Sequence, residues 1–259
     1  MNKMNNILSV KSLTKTYGHQ IGCNDISFDL HEGEVIGVVG ESGSGKSTLL
    51  SCLAGRLKVD KGSIKFKSRT DVKEELTEIT EVRRRYLSRT DWAFVHQNPR
   101  DGLRMDISAG GNITERLMAL GQRNYSSLRS KALNWLSKVE ISTERIDDNP
   151  TTFSGGMQQR LQIARNLITE PRLIFMDEPT GGLDVSVQAK LLDLLRKIVI
   201  GLNLSVIIVT HDLGVVRLLA DRLIVMKSGE VVETGLTDQV LDDPQHEYTQ
   251  LLVSSVLQF

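Results

Sequence analysis

Apolar and polar positions change period several times along the chain, and each change predicts an element. Ile7 to Thr16 alternates, with Leu8, Val10 and Leu13 apolar, as a half-buried strand does, and Ile26-Ser27-Phe28-Asp29-Leu30 repeats the pattern. Val35 to Val39, Leu173 to Met176 and Leu204 to Val209 are apolar almost without interruption. Such runs read as strands buried on both faces. Trp92 to Gln97 is a compact strand broken by Asn98-Pro99, Lys61 to Phe66 a turn and a short strand, and Arg222 to Met226 with Val231 to Glu233 a hairpin around Ser228-Gly229. Helical spacing appears in Thr48 to Ala54, stopped by Gly55, and from Ile107 to Val139, an insertion between sheet elements. It returns after Ser154, a good N-cap, in Met157, Leu161, Ala164 and Ile168, then in Val185 to Val199, and in the tail from Leu241 to Phe259 through Tyr248, Leu251, Leu252 and Val256. Asp71 to Arg89 is dense in charge, with Leu76, Ile79, Val82 and Leu87 near helical spacing, and its Arg83-Arg84-Arg85 reads as a solvated helix face rather than an anion patch. Strands alternating with helices predict an α/β fold.

Size and charge narrow the picture. The chain of 259 residues suits one large α/β domain or two small ones, and 40% hydrophobic residues can fill a sizeable core. Its 32 basic and 32 acidic residues cancel, so no global field draws it to nucleic acid or to acidic membranes. Cys23 and Cys52 lie far apart along the chain without a C-x-x-C, which argues against a zinc or iron-sulfur cluster and fits a reducing compartment; Cys52 reads as buried packing. Met1 to Val10 has no apolar core of signal-peptide length, and no stretch approaches the ~18 apolar residues of a membrane span. The expectation is a cytoplasmic protein that meets membranes only through partners.

The chemistry centres on Gly40-Glu41-Ser42-Gly43-Ser44-Gly45-Lys46-Ser47, which fits the phosphate-binding loop and sits between a buried strand and a helix opening at Thr48. Its glycines let successive N–H groups turn inward, and the helix start adds roughly half a positive charge. The arrangement predicts a cradle for a triphosphate, with Lys46 on the outer phosphates and the Ser47 hydroxyl on their magnesium. Asp177 and Glu178 end a buried strand, where ionised groups need a metal or hydrogen-bonding partners; Asp177 suits a magnesium ligand and Glu178 a base on water. Tyr17, at a strand end, suits base stacking or a plain turn. Gln97 suits the magnesium or the attacking water, or simple solvation. Ser154-Gly155-Gly156 forms a second glycine-flanked helix start, either an anion site or only a cap. His211 lies at a strand's carboxyl edge, where open α/β sheets bind ligands, though a lone histidine is more often structural.

Taken in order, these motifs resemble those of the ATP-binding-cassette ATPases over essentially the whole chain. Tyr17 matches the adenine-stacking aromatic, Gly40 to Ser47 the phosphate loop, Gln97 the Q-loop, Ser154-Gly155-Gly156 the signature, Asp177-Glu178 the acidic pair, Leu183-Asp184 the D-loop and His211 the switch histidine. Phe153 replaces the common signature leucine, Met157 the common glutamine, and Gly181-Gly182 the common Ser-Ala before the D-loop. The resemblance implies a P-loop NTPase core with a mostly parallel sheet, an antiparallel β-subdomain and a helical subdomain at about 98–155, all in one domain over 1–259 with a helical tail at about 236–259. It implies ATP and Mg2+ as ligands, the nucleotide held by Tyr17, Gly40 to Thr48 and Gln97, and the metal by Ser47, Gln97 and Asp177. Glu178, His211 and Lys46 are then catalytic, and Ser154, Gly155, Gly156 and Asp184 complete the site of a second ATPase subunit, identical or paralogous.

The Phe-Ser-Gly-Gly-Met form and the tail Pro244-Gln245-His246-Glu247-Tyr248-Thr249 look like those of dipeptide, oligopeptide and nickel importer ATPases. Within that group, Val95 to Pro99, Asp101 to Arg104, Ser108 to Ile113, Glu115 to Ala119 and Leu252 to Gln258 are most similar to the ATP-binding subunits of bacterial carbon-phosphorus lyase systems. A stop at Phe259, without the cysteine-bearing extension of some peptide importers, leans the same way. Three readings follow: an ATPase docked on the core subunits of a phosphonate-degrading lyase complex, the motor of a membrane importer, or, least in keeping with Glu178 and the signature, a small-molecule kinase.

Overall fold

The computed structural model describes residues 5–256. Met1 to Met4, the start of the Met1 to Val10 stretch, and Leu257 to Phe259, which include the end of the Leu252 to Gln258 motif, lie outside the described residues. Chain order runs β1 (Asn6–Tyr17), β2 (Gln20–His31), β3 (Val35–Val39), α1 (Lys46–Leu53), β4 (Lys61–Lys67), β5 (Lys73–Glu75), α2 (Glu81–Thr90), β6 (Trp92–Val95), α3 (Pro99–Gly102), α4 (Ala109–Ala119), α5 (Tyr125–Lys138), α6 (Gly155–Leu167), β7 (Leu173–Asp177), α7 (Val185–Gly201), β8 (Ser205–Val209), α8 (Leu213–Leu219), β9 (Arg222–Lys227), β10 (Glu230–Leu236), α9 (Thr237–Asp242) and α10 (Glu247–Val256). Short 3-10 turns at Thr143–Asp147 and Pro150–Thr152 bridge α5 to α6.

Two sheets form, as the change of pattern requires. The alternating segments make the antiparallel sheet β2-β1-β4-β5. The continuous apolar runs make the six-stranded sheet β10-β9-β3-β8-β7-β6, parallel except at the β10–β9 hairpin. Both faces of its central strands are covered. Ile36, Val38, Ile207 and Val209 pack with α1 and the antiparallel sheet, whereas Val35, Val39, Val206 and Ile208 pack with the helices on the far side. With every position of β3 and β8 buried, polar alternation is absent from these strands. The strand ends of β3, β7 and β8 therefore release their loops at one edge of the sheet, where open α/β folds bind ligands.

One expectation changes. Asp71 to Arg89 is not one helix: Lys73–Glu75 adds a strand beside β4, and Thr80 caps α2 by accepting the Arg83 N–H at 3.2 Å, so the helix starts only at Glu81. Pairing with β4 and a threonine cap override the weak apolar spacing. The cysteines, far apart along the chain, meet in the fold: both are buried, and the Cys52 thiol, on α1, is pushed up by its hydrogen bond to Cys23 on β2 and by burial. Burial of Cys52 agrees with the packing reading. Among the described residues no helix is long and apolar enough to cross a membrane.

Candidate active site

The loop between β3 and α1 has the backbone its glycines demand. Gly40 and Gly45 have φ of 149° and 99°; a Cβ on Gly45 would run into the Gly22 carbonyl, and one on Gly40 into that of Met226. No side chain caps α1, so its first N–H groups stay open. A cavity of about 280 Å³ lies here, lined by Tyr17 and Gly22 of the antiparallel sheet, by Ser42, Gly43 and Gly45 to Thr48 of the loop and helix, and by Glu178. Tyr17 is 49% exposed, with the Lys15 ammonium 5.7 Å from its ring centroid.

Lys46 is the most constrained group of the loop. Only 6% exposed, it donates to the Gly40 and Glu41 carbonyls at 2.7 and 2.6 Å and to Ser44 Oγ at 3.3 Å. Burial lowers its pKa, while Glu178, Asp177 and Glu41 oppose that shift. The Ser47 hydroxyl donates to Asp177 Oδ1 at 3.1 Å. Burial raises the pKa of Asp177, and Glu178 adds to the rise.

The acidic pair draws in two further loops. Glu178 has φ of 42°, a left-handed conformation unusual for a residue with a side chain, held by its N–H on the Val209 carbonyl at 2.8 Å. Its two carboxylate oxygens accept from His211 Nδ1 at 2.9 Å and Gln97 Nε2 at 3.4 Å. The His211 ring remains open to solvent, its side chain 66% exposed against 19% for Glu178. Tyr17, Gly43, Gly45, Lys46, Ser47, Thr48, Gln97, Asp177, Glu178 and His211 thus line one cavity or bond to its walls. The donors fit magnesium, which takes oxygen ligands and is commonly held by one or two carboxylates plus phosphates: the Ser47 hydroxyl meets the Asp177 carboxylate, and the Gln97 amide is bonded to the neighbouring Glu178. No group of three or more histidine, cysteine, aspartate or glutamate side chains forms a protein-only metal cage among the described residues.

The signature residues lie elsewhere. Ser154 Oγ accepts the Met157 N–H at 3.4 Å and so caps α6 itself. Ser154 and Gly155 are exposed and Gly156 is buried; a Cβ on Gly156 would sit 2.5 Å from Val187 Cγ1 of α7. Asp184, the exposed N-cap position of α7, makes no side-chain cap bond. None of the four lines the cavity.

Sequence reasoning missed three connections. Gln162 of α6 accepts the His96 N–H at 2.6 Å, and Gln162 and Gln159 donate to the His96 carbonyl at 3.2 and 3.3 Å, tying the signature helix to the segment that carries Gln97. Polar residues on an apolar helical pattern were the available signal. The Glu41 N–H donates to Tyr248 Oη at 2.9 Å, a contact across the whole chain with no local signature. The third is a cavity of about 420 Å³ beside His96, lined by Arg56, Arg84, Arg85, Arg116 and Arg165. Glu81 pairs with Arg84 and Arg85, and Glu115 with Arg165. Arg56 donates to His96 Nε2 at 3.0 Å. Burial, then Arg165, pushes Arg116 down to about 10, and burial, then Arg56, pushes His96 down to about 4. The arginine run is thus in part a solvated face, with Arg85 exposed, and in part the wall of a cationic cavity.

Known proteins resemble the chain in sequence and in fold. Residues 23–181 match the ABC transporter family. The chain is 65% identical, over 97% of its length and 98% of the relative's, to a protein of Escherichia coli (strain K12) named PhnK, an ATP-binding protein of phosphonates utilization. It is 38% identical, over 98% of its length and 77% of the relative's, to the dipeptide transport ATP-binding protein DppD of Bacillus subtilis (strain 168). Among solved structures, the dimeric ATP-binding cassette MJ0796 bound to ADP and Pi superposes with a TM-score of 0.78 at 30% identity, covering 89% of this chain and 98% of that one. CbiO1 of Clostridium perfringens, part of an ABC transporter complex, superposes at 0.80 and 28% identity, covering 92% of each chain. A phosphate loop between a buried strand and an uncapped helix, an acidic pair bonded to Gln97 and His211, and family likeness over most of the chain lead to one conclusion: the protein belongs to the ABC transporter family and is an ATP hydrolase of that family's nucleotide-binding fold.

Proposed function

We propose that this ATPase serves a phosphonate-degrading carbon-phosphorus lyase system, converting ATP binding and hydrolysis into movement of that assembly. The observation that carries the reading is the 65% identity to PhnK across nearly all of both chains, well above the 38% to the dipeptide transporter subunit.

In the proposed reaction, the loop N–H groups and Lys46 bind the β- and γ-phosphates and Tyr17 stacks on the base. Lys46 exchanges its carbonyl bonds for phosphate oxygens. A magnesium ion held by Ser47, Asp177 and Gln97 would neutralise charge building on the transferring phosphoryl group. Glu178 accepts the proton of the attacking water as that water bonds to the γ-phosphorus and the bond to the ADP oxygen breaks. His211, bonded to Glu178, orients the carboxylate and reaches the γ-phosphate. One chain supplies half of this enclosure. A second ATPase subunit, packed head to tail, brings Ser154, Gly155, Gly156 and Asp184 over the open side, where the first-turn N–H groups of α6 meet the γ-phosphate. ATP then holds two bodies together, and its loss releases them.

The cationic cavity suggests how the motion is passed on. Five arginines line it, and two carboxylates, Glu81 and Glu115, pair with three of them, which favours an acidic surface on the partner; α6 is bonded to its His96 edge, next in the chain to Gln97. Native affinity purification from the protein's own host tests the reading. Recovery of lyase subunits, reduced at least severalfold by Arg85→Glu with ATPase turnover unchanged, supports it; recovery of a hydrophobic permease without lyase subunits overturns it in favour of an importer motor. Phosphate transfer to a small acceptor, without release of inorganic phosphate, would instead establish the kinase reading.

A further inference from the structure

The phosphate loop is gripped from outside by the C-terminal helix. Tyr248, in the first turn of α10, is 5% exposed, and its hydroxyl accepts the Glu41 N–H at 2.9 Å. The Lys227 ammonium lies 5.0 Å from the centroid of its ring. The turn leading into α10 is anchored in its own right: the two carboxylate oxygens of Glu233, on β10, accept the N–H groups of Gln245 at 2.8 Å and His246 at 3.0 Å, and His246 Nδ1 accepts the Tyr248 N–H at 3.0 Å. The hydroxyl is thus fixed relative to the central sheet.

Glu41 follows Gly40 and precedes a stretch with glycine at every second position, a loop with much conformational freedom to lose when it orders around a phosphate. Two hydrogen bonds between its backbone and the body of the fold restrain it. The Gly229 N–H, from the β9–β10 turn, donates to the Ser44 carbonyl at 3.0 Å, and Tyr248 takes the Glu41 N–H. Lys46 holds the same shoulder through the Gly40 and Glu41 carbonyls, but it leaves them when it turns to phosphate. Tyr248 has no such second task.

We propose that Tyr248 is a positioning residue of the nucleotide site: its hydroxyl keeps the Glu41 shoulder of the loop in the phosphate-accepting shape when Lys46 lets go, which makes the C-terminal helix a part of ATP binding. The proposal rests on the assignment of Gly40 to Ser47 as the phosphate loop. Tyr248→Phe removes one oxygen and keeps the ring. The expected result is a rise of roughly two- to tenfold in the ATP KM and in the nucleotide Kd, the range that one net hydrogen bond supports, with kcat at saturation within about twofold and thermal unfolding lowered by no more than a few degrees. Amide exchange at Glu41 in the nucleotide-free protein should quicken by a similar factor. Leu251→Ser, an exposed substitution on the same helix, should change none of these. An unchanged KM together with unchanged exchange at Glu41 overturns the proposal, as does a loss of thermal stability with KM unaltered, which marks a purely structural tyrosine. Lys46→Ala run alongside separates the two failures: if it leaves nucleotide affinity intact, the loop assignment itself is wrong; if it abolishes binding while Tyr248→Phe does nothing, only the role of Tyr248 falls.

Discussion

The chain builds two helix starts from nearly the same parts, and they end in opposite conditions. The helix α1 follows a serine- and glycine-rich loop, α6 opens on two glycines directly after Ser154, and each has a serine or lysine at hand for an anion. At α1 the N-cap is a left-handed glycine, no side chain meets the first-turn N–H groups, and Lys46, Ser47, Asp177 and Glu178 gather around a cavity. At α6 the N-cap is Ser154, whose hydroxyl closes on its own helix, and exposed backbone takes the place of a cavity. A helix dipole with glycines is thus only half a phosphate site; the other half is a set of side chains brought from distant strands. α1 has that second half within its own chain. α6 lacks it, and in our proposal offers its N-terminus to another subunit.

The largest effect expected is on the α1 side. Glu178→Gln should lower turnover by about two to four orders of magnitude while leaving ATP affinity within severalfold, as removal of a general base does, measured by phosphate release and nucleotide titration. Near-normal turnover would sink the assignment of the base. Lys46→Ala comes next: stripping the buried cation from the loop should weaken ATP binding by on the order of a hundredfold, the scale of truncating one partner of a desolvated charge contact. On the α6 side, Ser154→Arg should abolish turnover and leave ATP binding to the isolated chain unchanged. Mixing that variant with Lys46→Ala then decides the comparison directly. In a head-to-tail pair each mixed dimer contains one intact composite site, so random mixing should restore up to about a quarter of the wild-type rate from two inactive parents. No recovery would mean that both helix starts serve one chain.

The smallest effect concerns the link between the two regions, His96, held by the α6 glutamines beside Gln97. In the fold, burial and then Arg56 disfavour its charged form and push its pKa down from the ordinary 6.5 to about 4. Between those values the unfolded chain binds the extra proton. Stability should therefore be level in this contribution above pH 6.5 and decline as pH falls from 6.5 towards 4. Urea midpoints across that window should fall, and His96→Gln should flatten the decline.

Much of this was legible in the chain because the information was local. A phosphate loop needs one strand, a run of glycines and one helix start, all within a short stretch, and the strands of the central sheet declared themselves by being apolar on both faces. What could not be read has a common cause. The helix expected from Asp71 to Arg89 gave way to a strand at Lys73–Glu75 because β4 offered a pairing edge. Cys23 and Cys52 meet only because β2 packs on α1. The arginine run acquires meaning only when Arg56, Arg116 and Arg165, each from another segment, close the cavity around it.

Residue order sufficed for most element types, for the two-sided burial of the central strands and for the place of the phosphate loop, since these depend on periodicity and on torsions within a few neighbouring residues. The tertiary structure alone decided that Glu178 faces both His211 and Gln97, that α6 is bonded to His96, and that Tyr248 holds the loop from the far end of the chain. Contacts of that kind depend on how sheets and helices pack, and packing sums weak preferences over the whole molecule that no single stretch displays.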